Sequence, residues 1–85
     1  MQTVELYTTN TCGFCHAAKR LLTAKGVSFA EVSLSAQPER RAEMMQRANG
    51  GRTVPQIFIG TTHVGGYDDL HALEAAGKLD ALLAG

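Results

Sequence analysis

The sequence predicts a single α/β domain whose elements follow the order β-α-β-α-β-β-α. Three observations support this prediction. The chain has 85 residues, which is enough for one domain and too short for two. Short stretches in which apolar and polar residues alternate indicate strands, whereas apolar residues spaced three and four apart indicate helices. These stretches succeed one another along residues 1–85 with no linker, internal repeat or low-complexity segment between them.

The first half of the chain has the pattern of a βαβ unit. Residues 3–8 alternate with period two, and residues 27–32 are again typical of a strand. Between them, apolar residues from Phe14 to Leu22 recur at helical spacing, and Gly26 provides the stop. Two strands joined by such a crossover helix are expected to pair in parallel.

The middle of the chain predicts a second helix. Pro38 favours the first turn of a helix, and Asn49 with the two glycines after it ends the segment. On this helix Glu43 and Arg47 stand four residues apart, so we expect them to form an ion pair.

The second half of the chain predicts a hairpin and a final helix. Residues 56–59 and 63–64 are two strands separated by a tight connection, which favours antiparallel pairing. A helix is expected over residues 70–76, with the acidic Asp68 and Asp69 in its first turn. Gly77 breaks this helix, and the leucines after it are expected to close the core.

Composition excludes several classes of protein. Eight basic and eight acidic residues give a net charge of zero, which argues against a nucleic-acid-binding or membrane-coating protein, because both need a basic face. Neither a targeting segment nor a long apolar run is visible, so we expect a soluble, cytoplasmic monomer. Two cysteines are too few for a disulfide scaffold, and their C-x-x-C spacing favours redox chemistry or metal binding.

The two cysteines lie where the first strand gives way to the first helix. Unpaired N–H groups and the helix dipole make a helix N-terminus positive, so a sulfur at Cys12 is expected to be stabilised as a thiolate. Cys15 lies one turn further, in line with the buried face, and is expected to be shielded and less acidic. This asymmetry predicts that Cys12 attacks a disulfide and Cys15 resolves the product.

A metal site and a purely structural pair are the alternatives to redox chemistry. Zinc normally needs four ligands, and beyond the cysteines only His16, His63 and His71 are available. A histidine just after a helix start is more often solvated than a ligand.

Two further segments are candidate binding elements. Thr53-Val54-Pro55 precedes a strand, and proline cannot donate a ladder hydrogen bond, so an extended peptide could pair with Val54 at the open edge. The turn Gly65 to Asp69 offers N–H groups for a carboxylate and an aspartate for an ammonium, as an α-amino acid head requires. Taken alone, the first segment is better explained as the start of a strand, and the second as a glycine turn followed by acids that cap a helix.

Together, C-x-x-C, T-V-P and G-G-x-D-D, in this order and spacing, resemble the glutaredoxins, thioredoxin-fold oxidoreductases that use glutathione. The resemblance implies a mixed four-stranded sheet flanked by helices. It also implies that Cys12 is the nucleophile, Cys15 the resolving thiol and Pro55 a cis proline. The residues it assigns to glutathione binding are Thr9, Phe14, Thr53, Val54, Pro55, Gly66, Tyr67, Asp68 and Asp69. The implied partners are glutathione and proteins that carry disulfides or glutathione adducts.

The chain departs from the common family pattern at two places. C-P-Y-C is usual where this chain has Gly13 and Phe14, and Thr9 stands where many members carry a lysine for the glycine carboxylate of glutathione. C-G-F-C also resembles the C-G-F-S of monothiol glutaredoxins, although the chain has no tryptophan for their W-P motif. The competing hypotheses are therefore a dimer that holds a [2Fe–2S] cluster through Cys12 and glutathione, and an electron donor driven by thioredoxin reductase.

Overall fold

The computed structural model describes all 85 residues and contains four strands and four α-helices. The strands form one mixed sheet in the order β2-β1-β3-β4. The strands are β1 Val4–Thr8, β2 Ala30–Ser33, β3 Gln56–Ile59 and β4 Thr62–Gly65, and the helices are α1 Gly13–Ala24, α2 Arg41–Arg47, α3 Tyr67–Ala75 and α4 Leu79–Ala84. A 3-10 turn over Pro38–Arg40 leads into α2.

Strand pairing confirms the predicted halves of the sheet. β1 and β2 are parallel, with Glu5 opposite Ala30. β1 pairs antiparallel with β3, and β3 pairs antiparallel with β4 as a hairpin. The mixed four-stranded sheet expected from the family resemblance is therefore present.

The sheet separates two hydrophobic layers. On one face, side chains of β1 and β3 pack against α1, α3 and α4, with Leu6, Leu22 and Leu70 fully buried. On the other face, Tyr7 and Phe58 pack with α2. This division follows from the alternation of side chains along β1 and β3.

Several element boundaries differ from the prediction. β2 begins at Ala30, because Val27 instead donates its N–H to the carbonyl of Leu22 at the end of α1, at 3.0 Å. α3 begins at Tyr67, so it includes the two aspartates. The leucines after Gly77 form a separate short helix, α4.

The expected ion pair between Glu43 and Arg47 was wrong. Arg47 binds Glu5 at 3.0 Å, and Glu43 binds Arg40 at 2.7 Å. Both side chains also hydrogen-bond the hydroxyl of the buried Tyr7. Contacts with Glu5 and Tyr7 of β1 therefore take the place of the expected pair within the helix.

None of the helices combines the length and apolarity that crossing a membrane requires.

Candidate active site

The N-terminus of α1 holds Cys12 as its N-cap residue. Its backbone is extended, with φ −90° and ψ 112°, and its Sγ accepts the N–H of Cys15 at 3.2 Å. A neutral Cys12 thiol also donates to the carbonyl of Val54 at 3.4 Å. Cys12 is partly exposed. The sulfur therefore meets both a helix N–H group, as predicted, and the segment that precedes β3.

Cys15 is the buried partner. Its side chain is 0% exposed, and this burial, followed by the hydrogen bond with Cys12, raises the pKa of the Cys15 thiol from 9.0 to about 12. A backbone hydrogen bond with Thr9 acts in the opposite direction and is outweighed. Cys15 is thus protonated at neutral pH, as the sequence predicted for a shielded and less acidic thiol.

A groove of about 510 Å³ lies between the segment before β3 and the start of α3. It brings together every residue that the family resemblance assigned to glutathione binding except Thr9. Its lining residues are Phe14, Thr53, Val54, Pro55, Gln56, His63, Gly65, Gly66, Tyr67, Asp68 and Asp69. The Val54–Pro55 peptide bond is cis, as the resemblance implied.

Thr9 follows β1 and does not line the groove. Its carbonyl accepts the N–H of Cys12 at 3.5 Å. The residue therefore supports the loop that carries Cys12, and the structure does not bring its side chain to the groove.

The two aspartates at the start of α3 have different partners. Asp69 accepts the N–H of Gly66, the N-cap residue, at 3.0 Å. Asp68 is exposed and has no hydrogen bond or ion pair within the chain, although it lines the groove. Gly65 precedes this turn with φ 113°, and a Cβ added there would collide with the carboxylate of Asp69.

Aromatic side chains border the groove beside Cys12. Phe14 is 63% exposed and stacks on Tyr67, with ring centroids 6.2 Å apart and an interplanar angle of 24°. Tyr67 in turn contacts His71. Two residues after Cys12, the exposed ring of Phe14 thus adds an apolar surface to the groove.

Sequence reasoning missed Gln56 and His63 as groove residues. His63 Nε2 lies 2.7 Å from Gln56 Oε1. Gln56 lies on β3 and His63 on β4, and a register irregularity between Ile57 and Phe58 offsets the pairing of these strands. The contact joins two strands, so no local sequence pattern signals it.

The alternative of a zinc site has no support in the side-chain geometry. His16 is exposed and contacts the carbonyl of Asn10 at 3.3 Å, and His63 is bonded to Gln56. No group of three or more His, Cys, Asp or Glu side chains is placed to hold a metal ion.

Comparison with known proteins identifies the family. The family model described as Glutaredoxin matches residues 4–64. A glutaredoxin of Pseudomonas aeruginosa is 60% identical over 84 residues, which cover 99% of each chain. The solution structure of glutaredoxin from Brucella melitensis is 57% identical, covers 98% of this chain and 89% of that one, and has a TM-score of 0.83. A crystal structure of a buckwheat glutaredoxin–glutathione complex is 30% identical, covers 98% of this chain and 77% of that one, and has a TM-score of 0.87.

The similarity to these relatives extends over nearly the whole chain and includes the C-x-x-C segment. Exchange between thiols and disulfides begins with attack by an accessible sulfur, and a second sulfur close by can resolve the product. Cys12 is partly exposed and its Sγ accepts the N–H of Cys15, whose thiol is also free. Sequence, fold and sulfur geometry thus agree that this chain belongs to the glutaredoxin family of thiol–disulfide oxidoreductases.

Proposed function

We propose that this protein is a glutathione-dependent oxidoreductase that reduces protein disulfides and glutathione mixed disulfides. The observation that carries the proposal is the groove beside Cys12, bounded by Thr53–Pro55 on one side and the first turn of α3 on the other. The known buckwheat relative in complex with glutathione supports this assignment.

The groove has the groups needed to hold the glutathione half of a mixed disulfide. Backbone groups of Val54 lie outside the β3 ladder, so they are available to pair with an extended tripeptide. The N-terminus of α3 favours the α-carboxylate of the γ-glutamyl end. Asp68 lines the groove and has no side-chain partner within the chain, which supports a role in binding the ammonium group of the same end.

In the first step, the Cys12 thiolate attacks the glutathione sulfur of a protein–glutathione mixed disulfide. A Cys12–glutathione disulfide forms as the protein–glutathione bond breaks, and the protein leaves as a thiolate that takes up a proton. A second glutathione thiolate then attacks the bound glutathione sulfur. Oxidised glutathione leaves, and the Cys12 thiolate is restored.

Protein disulfides need the second thiol. Cys12 attacks one sulfur of the disulfide and releases the other as a thiolate. Cys15, after losing its proton, attacks the Cys12 sulfur of this mixed disulfide, which frees the reduced protein and leaves a Cys12–Cys15 disulfide. Two glutathione molecules then reduce that disulfide and are themselves oxidised to one disulfide.

The first test compares serine variants of the two cysteines. We expect Cys12→Ser to abolish turnover of a small glutathione mixed disulfide, because no other residue supplies an accessible thiolate. Cys15→Ser should retain part of that activity, since glutathione itself resolves the Cys12 adduct, and should lose reduction of protein disulfides. The assay couples oxidised glutathione to glutathione reductase and follows consumption of its reduced nicotinamide cofactor.

Complete loss of activity in both variants would show that every substrate needs the dithiol route. One control tests the electron donor. Running the same substrates with thioredoxin reductase in place of glutathione tests the alternative electron donor. Faster turnover with that reductant would contradict glutathione dependence.

A [2Fe–2S]-binding dimer is the second candidate function, favoured by the surroundings of Cys12. Cys12 is partly exposed, and a Cβ built on its neighbour Gly13 would meet nothing within 4 Å, so Gly13 leaves space beside the sulfur for a large group. One chain offers only Cys12, because Cys15 is buried and protonated. The residues fit a shared cluster whose remaining ligands come from a second chain and two glutathione thiols. Such a cluster would supply a one-electron carrier.

A further inference from the structure

A chain of hydrogen bonds links β4 to the segment beside the nucleophile. His63 Nε2 lies 2.7 Å from Gln56 Oε1. The Gln56 amide Nε2 donates to the Thr53 carbonyl at 3.0 Å and approaches Thr53 Oγ1 at 3.4 Å. Gln56 is only 5% exposed, so its amide depends on these partners. We call these three residues the His63–Gln56–Thr53 relay.

The relay fixes which nitrogen of His63 carries a proton. The Gln56 amide N–H groups are turned toward Thr53, so the Oε1 facing His63 must accept a hydrogen bond. Nε2 of His63 is therefore the donor in both the neutral and the charged form of the ring. The bond does not require the ring to gain or lose a proton.

The imidazole ring is held in place by stacking as well. It lies against Phe58 with centroids 4.9 Å apart and an interplanar angle of 25°. The guanidinium of Arg47 lies 4.2 Å from the centroid of the same Phe58 ring. His63 thus starts the relay from a fixed position on the sheet.

The other end of the relay reaches the active site. Thr53 is followed by Val54, whose carbonyl accepts the Cys12 thiol at 3.4 Å. Thr53, Gln56 and His63 all line the groove. The relay therefore fixes the backbone just before the residue that contacts the nucleophile.

We propose that His63 is a positioning residue, which holds the Thr53–Val54 segment through Gln56 in the orientation that binds the glutathione half of the substrate. This inference rests on the proposed function, since it takes that segment as the substrate's binding edge. Without a donor from His63, the Oε1 of Gln56 loses its partner, the amide turns toward the groove, and its hydrogen bond to Thr53 is lost.

Two substitutions at one position separate the hydrogen bond from the ring. His63→Phe keeps an aromatic ring on Phe58 and removes the donor, whereas His63→Gln places an N–H group near the original Nε2. We expect His63→Phe to raise KM for a glutathione mixed disulfide about three- to tenfold, the loss expected for one hydrogen bond. Because binding is lost equally in the ground and transition states, kcat should stay within about twofold. His63→Gln should restore KM to within about twofold of the parent value.

A second measurement reads the relay without any substrate. In ¹H–¹⁵N spectra of the reduced protein, the amide signals of Thr53 and Val54 should shift in His63→Phe and return in His63→Gln. Gln56→Met, which keeps the side-chain length and removes the amide oxygen and the amide NH2, should shift the same signals. Combining it with His63→Phe should raise KM no further, because both changes break one relay.

The results that would overturn the inference differ from those that defeat the proposed function. An unchanged KM and unchanged amide signals in a folded His63→Phe protein would overturn the relay, and so would an equal rise of KM in His63→Phe and His63→Gln. If His63→Phe does not fold, Gln56→Met with unmoved Thr53 and Val54 signals overturns it instead. Absence of turnover in the parent protein defeats the proposed function, while the amide signals still decide the relay.

Discussion

Asp68 and Asp69 are neighbours in sequence with different predicted roles in binding. Asp69 is committed to the N–H of Gly66, whereas Asp68 has no partner within the chain. We therefore expect Asp68→Ala to raise KM for glutathione-containing substrates by about tenfold with little change in kcat, since a charge-assisted hydrogen bond is lost in ground and transition states alike. Steady-state kinetics with a glutathione mixed disulfide measures both constants.

Asp69→Ala is the matched control for this prediction. Loss of the carboxylate that reaches back to the N-cap should lower the free energy of unfolding by about 1 kcal/mol, which thermal unfolding detects. An unchanged KM in Asp68→Ala would mean that this carboxylate contributes only its charge to the start of α3.

The properties of individual residues were predictable where they depend on residues nearby in the sequence. The contrast between Cys12 and Cys15 follows from a helix start and helical periodicity, and the structure shows it in exposure and in the raised pKa of Cys15. Contacts between distant segments were not predictable. The pair expected for Glu43 and Arg47 was wrong, because the buried Tyr7 hydroxyl attracts both side chains.

The start of helix α1 accepts a substitution that tests the cluster hypothesis. Gly13 is the first residue of α1, where an N–H group lacks a helical partner. Cys12 already has the extended backbone that a following proline requires, and no atom lies within 4 Å of a Cβ at Gly13. We expect Gly13→Pro to raise the free energy of unfolding by about 0.4 to 1 kcal/mol, because proline restricts the unfolded chain. Urea unfolding measures this gain.

The same substitution should separate the two candidate functions. Reduction of mixed disulfides should remain largely intact in Gly13→Pro, whereas assembly of a brown [2Fe–2S] dimer from iron, sulfide and glutathione without oxygen should weaken. Absorption spectra and size-exclusion chromatography follow the assembly. A colourless monomer for the parent protein, for Gly13→Pro and for Cys15→Ser would eliminate the cluster function.

For the secondary-structure elements, local sequence patterns were enough to locate the helices, whereas the ends of the strands depend on pairing with distant strands. α1 begins at Gly13, one residue before the first apolar residue of its helical pattern, because Cys12 is its N-cap. β2 starts three residues later than predicted, since it exists only where Ala30 pairs with Glu5 of β1. The length of a strand depends on its neighbour, which a local pattern does not contain.

Across the whole molecule, one lysine joins three helices. Lys25, the C-cap residue of α1, forms ion pairs with Glu74 of α3 at 2.9 Å and Asp80 of α4 at 2.7 Å. These two hydrogen-bonded pairs raise the pKa of Lys25. These contacts connect the C-terminal end of α1 with α3 and α4 on the face of the sheet where Leu22, Leu70 and Leu79 are buried.

The buried thiol makes global stability fall in alkaline solution. The Cys15 pKa is about 12 in the folded protein and 9.0 for an ordinary thiol. Below pH 9.0 both states hold the proton, so stability is unaffected; above it the unfolded state alone releases the proton and becomes favoured. We expect the urea midpoint of the reduced protein to decline from about pH 9 toward pH 12.

Cys15→Ala isolates this contribution from other groups. Tyr7 also has a raised pKa, caused first by burial, so part of the alkaline loss belongs to it and persists in the variant. The decline should be shallower in Cys15→Ala than in the parent protein. Parallel curves for the two proteins would contradict a raised Cys15 pKa.

The turn at Gly65 limits which substitutions this sequence can accept. At its φ of 113°, the backbone of any residue with a side chain would be strained. Any Cβ would also displace the Asp69 carboxylate from the N–H of Gly66. A saturation library should therefore return glycine alone at position 65, while position 13, inside the C-x-x-C motif itself, accepts many residues. We therefore expect more substitutions to be accepted between the two cysteines than at a glycine that carries no reactive group.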